Sequence, residues 1–204
     1  MSSMRTWIAG ATLLAAVTGT ADAQVSYTTM GRFISTAASC NQLVATNSVA
    51  CAFGGFTLTY TGTAGANVGS GSVISLGTFA LSGAGNATLP PPSVAFELFI
   101  SQTMPSVGSA SFSGMVAGTV TTGSGGNTST LMWSPNSTRS IGLANYTVIF
   151  DAIGPAAGRG IAIPINNDRG INALVNVVPE PSTYLLMGTG LLALAMTARR
   201  RKVS

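Results

Sequence analysis

The chain has 204 residues, 46% of them hydrophobic and only 7% charged, with two cysteines and no histidine. Its formal charge of +4 belongs mostly to the C-terminal tail, because residues 24–177 hold Arg32, Arg139, Arg159 and Arg169 against Glu97, Asp151 and Asp168, a net +1. That balance argues against a basic nucleic-acid-binding face, the missing histidine removes Ser-His-Asp and Cys-His catalysis, and a single lysine, Lys202, removes a Ser-Lys dyad from the body.

Residues 1–23 begin with a short positive region at Arg5, followed by an apolar run from Trp7 to Val17. The run ends in Ala21-Asp22-Ala23, the small-x-small pattern that signal peptidase accepts. This predicts a secretory signal peptide over 1–23, cleaved between Ala23 and Gln24. A membrane helix is the poorer reading, since Thr18, Gly19 and Thr20 interrupt a run already too short.

Cys40 and Cys51 follow in the exported part. An even count in an oxidising compartment favours a disulfide between them. A metal pair would need further ligands, and neither a histidine nor a nearby carboxylate supplies them. No metal and no cofactor is expected.

The body from 24 to 177 reads as one all-β domain. Low charge with abundant Gly, Ser, Thr and Asn fits either disorder or hydroxyl-rich strands, and the apolar patterning favours strands. Residues 56–61, FTLTYT, set Phe56, Leu58 and Tyr60 against three threonines. Residues 94–101, VAFELFIS, place Phe96, Leu98 and Ile100 on one face, with Glu97, Phe99 and Ser101 on the other. Residues 171–178 alternate Ile171, Ala173, Val175 and Val177 with Asn172 and Asn176. The runs 73–81, 109–120 and 146–150 are also rich in strand formers, while 62–72, 121–129 and 152–160 carry turn chemistry. Eight or nine short strands predict an antiparallel β-sandwich, jelly-roll-like.

Candidate chemistry in the body is sparse. Glu97 and Asp151 could form a glycosidase-type carboxylate pair, but a mid-strand Glu97 is better explained by pairing with an arginine. Residues 165–172, INNDRGIN, miss the calcium-loop spacing, since Gly170 falls fifth from Asn166 where sixth is needed. A turn before the last strand is the simpler expectation. Residues 154–160 lack the spacing and Lys-Ser/Thr end of a phosphate loop. Asn86, Asn127, Asn136 and Asn145 open N-x-Ser/Thr triplets, which chance supplies in so Ser- and Thr-rich a chain. No catalytic residue is assigned, and the chain is expected not to be an enzyme.

The C-terminal segment, 178–204, has three parts. Val178, Pro179, Glu180 and Pro181 come first; the prolines hold this stretch extended and out of any helix. The uncharged run Tyr184–Ala198 follows, inside an expected transmembrane helix at about 182–198. As a helix the run reaches roughly 22 Å, against about 30 Å of bilayer core, so it spans only with help from its flanks. Arg199, Arg200, Arg201 and Lys202 close the chain as a cytoplasmic stop. Both ends therefore place the body outside the inner membrane.

This ordered arrangement closely resembles the PEP-CTERM sorting signal of Gram-negative bacteria that make exopolysaccharide. The resemblance implies that exosortase, a multi-pass membrane enzyme, reads Pro179-Glu180-Pro181, that the tail is removed, and that the body leaves for the exterior. Residues 96–120 and the closing VVPEPS also look like ectodomains found upstream of such tails, which implies a β-fold and export only. The expected partners are signal peptidase, exosortase, the membrane as a temporary anchor, and exopolysaccharide, with no nucleic acid. The expected role is structural or adhesive, in an exopolysaccharide or biofilm matrix. The alternative is a carbohydrate-binding module, which would need Trp133 clustered with Tyr146 or Tyr60 on an exposed face. Trp133 is otherwise expected to cover a sheet edge.

Overall fold

A computed structural model gives the architecture over residues 24–35, 40, 44–124, 126–151, 160–178 and 187–195. The signal peptide predicted for 1–23 lies outside these residues. Among them run thirteen strands: β1 (Gln24–Ser35), β2 (Ser48–Phe53), β3 (Phe56–Thr61), β4 (Ala64–Gly69), β5 (Ser72–Gly83), β6 (Asn86–Met104), β7 (Gly108–Thr121), β8 (Thr128–Ser129), β9 (Met132–Pro135), β10 (Thr138–Ile141), β11 (Ala144–Val148), β12 (Ile161–Ala162) and β13 (Asp168–Val177). A helix, α1, occupies 187–195.

The strands form two antiparallel sheets. One has the order β12-β9-β7-β6-β1-β4, with β8 also on β7; the other has the order β10-β11-β13-β5-β3-β2. The period-two pattern decides which face each strand buries. Phe56, Leu58 and Tyr60 of β3 point inward, as do Phe96, Leu98 and Ile100 of β6 and Ile171, Ala173, Val175 and Val177 of β13. The intervening asparagines of β13 face solvent. Tryptophan, tyrosine and phenylalanine rings then close the space between the sheets. Phe96 is the hub: its ring centroid lies 4.9 Å from Phe33, 4.9 Å from Tyr60, 5.0 Å from Phe79 and 5.3 Å from Trp133. Phe33, Phe96 and Trp133 come from one sheet, and Tyr60 and Phe79 from the other.

Two glycines make room for these rings. A Cβ on Gly31 would fall 2.5 Å from Tyr60 and 2.7 Å from Phe96. Gly77, at φ +126°, would crowd Thr61 O at 2.5 Å and Tyr60 at 2.7 Å.

Cys40 and Cys51 are joined in a disulfide, tying residue 40 to β2. Closing so short a loop stabilises the fold by about 3 kcal/mol on the loop-entropy account.

Several expectations need amendment. The strands are more numerous than eight or nine. Residues 62–72, read as a turn, contain the whole of β4, whose pairing with β1 runs from Ala64↔Thr28 to Gly69↔Gln24. The run 146–150 leaves strand geometry after Val148. Trp133 does not cover a sheet edge; it is fully buried, and its Nε1 donates to Phe96 O at 3.2 Å. Three successive prolines, 90–92, lie within β6, where the register on β7 shifts between Leu89 and Val94. Proline has no N–H to give a ladder, so the interruption falls where donors are missing.

Truncating the hub tests the packing. Phe96→Ala should lower unfolding free energy by about 3–5 kcal/mol, read from urea denaturation; a loss below 1 kcal/mol, roughly, would mean the rings are not the core's anchor. The buried tyrosines make a second prediction. Burial raises the phenol pKa of Tyr27, Tyr60 and Tyr146 above the ordinary value of 10.0. The folded state thus holds these protons more tightly than the unfolded chain, so their contribution is complete below pH 10 and is lost as pH rises above it. Thermal midpoints should fall steeply in alkali beyond that point, and Tyr60→Phe should flatten the fall.

Candidate sorting junction

The C-terminal segment follows the end of β13, an interior strand flanked by β11 and β5. Three contacts fasten that end. Val177 N–H donates to Ser70 Oγ at 2.8 Å, and Gly71 N–H donates to Val175 O at 2.7 Å, both from the β4–β5 turn. Val178 N–H donates to Leu143 O at 2.9 Å, in the β10–β11 turn. The folded domain therefore reaches Val178 with no linker before Pro179, and Val178 itself is half exposed.

The neighbouring turns belong to the same end of the sandwich. Gln102, fully buried near the end of β6, organises them. Its Oε1 accepts from Tyr146 OH at 2.6 Å, while Nε2 donates to Ser106 O at 2.9 Å and lies 3.4 Å from Ile141 O. One amide thus ties the β6–β7 turn to the β10–β11 hairpin and meets the satisfaction a buried polar group requires. Gln24, the predicted first mature residue, pairs with Gly69 and begins β1 at this same end. Both chain ends of the domain leave together.

Pro179, Glu180 and Pro181 lie outside the described residues, as do Ala23 and the basic stop Arg199, Arg200, Arg201 and Lys202. Of the expected span at about 182–198, residues 187–195 are helical and exposed throughout, with Met187, Leu191, Leu192 and Leu194 among the exposed large apolar side chains. No helix among the described residues is long and apolar enough to cross a membrane.

The structure brings none of the candidate catalytic groups together. Glu97 is held by Arg32, 2.6 Å from its NH2 group, and accepts from Ser113 Oγ at 3.2 Å on the outer face of its sheet. Arg32 also lies over the Phe99 ring, 5.3 Å from its centroid. Asp151 pairs with Arg169 and accepts from Ala162 N–H at 2.8 Å. It sits beyond β11, in an isolated bridge with Gly160. Each acid thus neutralises its own arginine. Asn166, at φ +58°, makes the turn expected before β13 and donates to Leu81 O at 2.8 Å. Tyr60, Tyr146 and Trp133 are all fully buried, so they do not form an exposed aromatic platform. Ser70, Leu143 and Gln102 went unnoticed in the sequence, because nothing near them in the chain signals their partners.

These features define an all-β domain whose last strand feeds directly into a C-terminal tail. Residues 177–202 match the family described as the PEP-CTERM protein-sorting motif, so the chain carries that motif, continuous with β13. The motif marks an exported protein, membrane-anchored before processing by exosortase. No curated protein and no solved structure matches the chain.

Replacing the Ser70 hydroxyl should loosen the exit of β13. Ser70→Ala is expected to lower stability by about 0.5–1.5 kcal/mol. Hydrogen exchange at the Val177 amide should accelerate while Val175 stays protected. Unchanged exchange at Val177 would show that the hydroxyl does not hold the junction.

Proposed function

We propose that this chain is a non-enzymatic structural or adhesive protein of the cell surface or extracellular matrix, delivered there by its C-terminal tail. Its precursor leaves the cytoplasm on the signal peptide 1–23, is cut before Gln24, and is held by a transmembrane helix at about 182–198. Exosortase then reads Pro179-Glu180-Pro181 and removes the tail, and the body joins an exopolysaccharide-rich matrix. The observation that carries this reading is the direct passage of β13 into the matched motif at 177–202. A domain built flush onto a sorting tail is cargo for that tail. The structural role draws support from the engaged carboxylates Glu97 and Asp151 and from a surface of hydroxyls and amides suited to hydrated polysaccharide. The carbohydrate-binding alternative lacks the exposed Trp133–Tyr cluster on which it would rest.

Cells that supply exosortase provide the test. The wild-type chain should appear outside, shorter by the tail. Pro179→Ala with Glu180→Ala should remain full-length in the inner membrane. Cutting and release of the double variant like wild type would remove the motif from recognition. For the matrix role, deletion of the chain should weaken matrix cohesion under shear, and Glu97→Gln with Asp151→Asn should restore it as well as wild type. Failure of only the acid-substituted form would instead favour an enzyme.

A further inference from the structure

The end of the sandwich from which the tail departs exposes several large apolar side chains. Val107, in the β6–β7 turn, is 87% exposed, the highest value among the described large hydrophobic side chains. Met104, in the same hairpin, is 47% exposed, and Val178, at the tail's exit, is 51% exposed. Their turns are neighbours: Gln102 joins Ser106 to Ile141, a Cβ on Gly142 would collide with Ser106, and Leu143 O accepts from Val178. No charged residue occurs in 102–108, 69–72, 141–144 or 175–178.

We infer that this rim, whose turns carry no charged side chain, rests on the bilayer surface in the anchored precursor, with Val107 and Met104 entering the lipid interface beside the C-terminal helix. The inference rests on the membrane-anchored reading of the tail. Chain length supports it. Only eight residues separate Val178 from Met187, the first described residue of α1. Even fully extended, they let the rim stray no more than about 30 Å from that helix. A domain tethered so closely presents this end to the membrane, and an apolar side chain at the tip of a hairpin gains by leaving water there. A rim bearing lysines or acids would resist burial, whereas uncharged turns rich in Met, Val, Ser and Gly resist it less. Gln102 sets the rim's shape from within, because its buried amide fixes the β6–β7 turn against the β10–β11 hairpin. The seated domain would place the Val178–Pro179 junction at the headgroup level, where an enzyme embedded in the bilayer can reach it.

The full chain, reconstituted into phosphatidylcholine vesicles, tests this. Val107→Cys in one sample and Ser124→Cys in another carry an environment-sensitive fluorophore; both positions are exposed. Ser124 belongs to the loop after β7, away from the rim. Brominated lipid should quench the label at 107 and leave that at 124 bright, and adding Met104→Asp should abolish the quenching at 107. Equal brightness at both positions in a chain retained on the vesicles overturns the rim contact and leaves anchoring intact. Cross-linking between labels at 107 without lipid quenching would assign the rim to a second copy, which also overturns it. A chain that washes off the vesicles in alkaline carbonate overturns the anchored precursor, and the rim contact with it.

Discussion

Everything in this domain hangs on the ring of Phe96. Electrostatics contributes little to so weakly charged a body, whose described ion pairs are Arg32–Glu97 and Arg169–Asp151, both partly exposed. Exposed pairs of that kind are worth little. Cohesion must come from apolar surface removed from water, and Phe96 touches rings from both sheets. The position also explains the glycines. Gly31 in β1 and Gly77 in β5 lie on opposite sheets, and each leaves space that Tyr60 fills. Tyr60 in turn keeps its hydroxyl satisfied, 2.8 Å from Leu76 O and 3.0 Å from Thr29 Oγ1, so its burial leaves no unpaired polar group.

Strands were legible where alternate side chains are large and apolar, as in 56–61, 94–101 and 171–178, because burial on one face writes itself directly into a period of two. They were illegible where the pattern is diluted. In β1, Thr29 and Gly31 take two of the inward positions between Val25 and Phe33, so a buried strand looks polar. In β4, AGANVG has the residues of a turn, and only the ladder with β1 makes it a strand. Trp133 misled for another reason: a lone tryptophan in a short segment without alternation gives no phase, and its burial depends on β7 lying between β9 and β6. The cysteine pairing was readable because two cysteines admit one intramolecular partnership.

At the tail the position is reversed. The motif is written plainly in local sequence, since proline, charge and hydrophobicity follow one another without interruption. Its support is invisible there. Ser70 lies 107 residues from Val177, and Gln102 lies 44 from Tyr146, so neither partnership leaves a local trace. Polar contacts between distant turns are set by topology, and topology is what composition and periodicity cannot order.

The position of β13 constrains how the tail can be handled. An edge strand can peel away from one neighbour, but β13 is paired along most of its length with β5 and also with β11. Pulling Val177 toward an enzyme would break the Ser70 contact, then the pairing of Ala144 with Val177, while exposing a core side chain. The described pairing of β13 ends at Val177, with Val178 N–H on Leu143 O. On the proposed reading, an enzyme that requires an extended substrate binds Pro179–Pro181, where proline disfavours helix, and leaves β13 in its sheet. A cut there leaves every described ladder of the sandwich whole. On the proposed reading, the eight residues between Val178 and Met187 keep the motif close to the anchored helix while β13 stays paired on both sides.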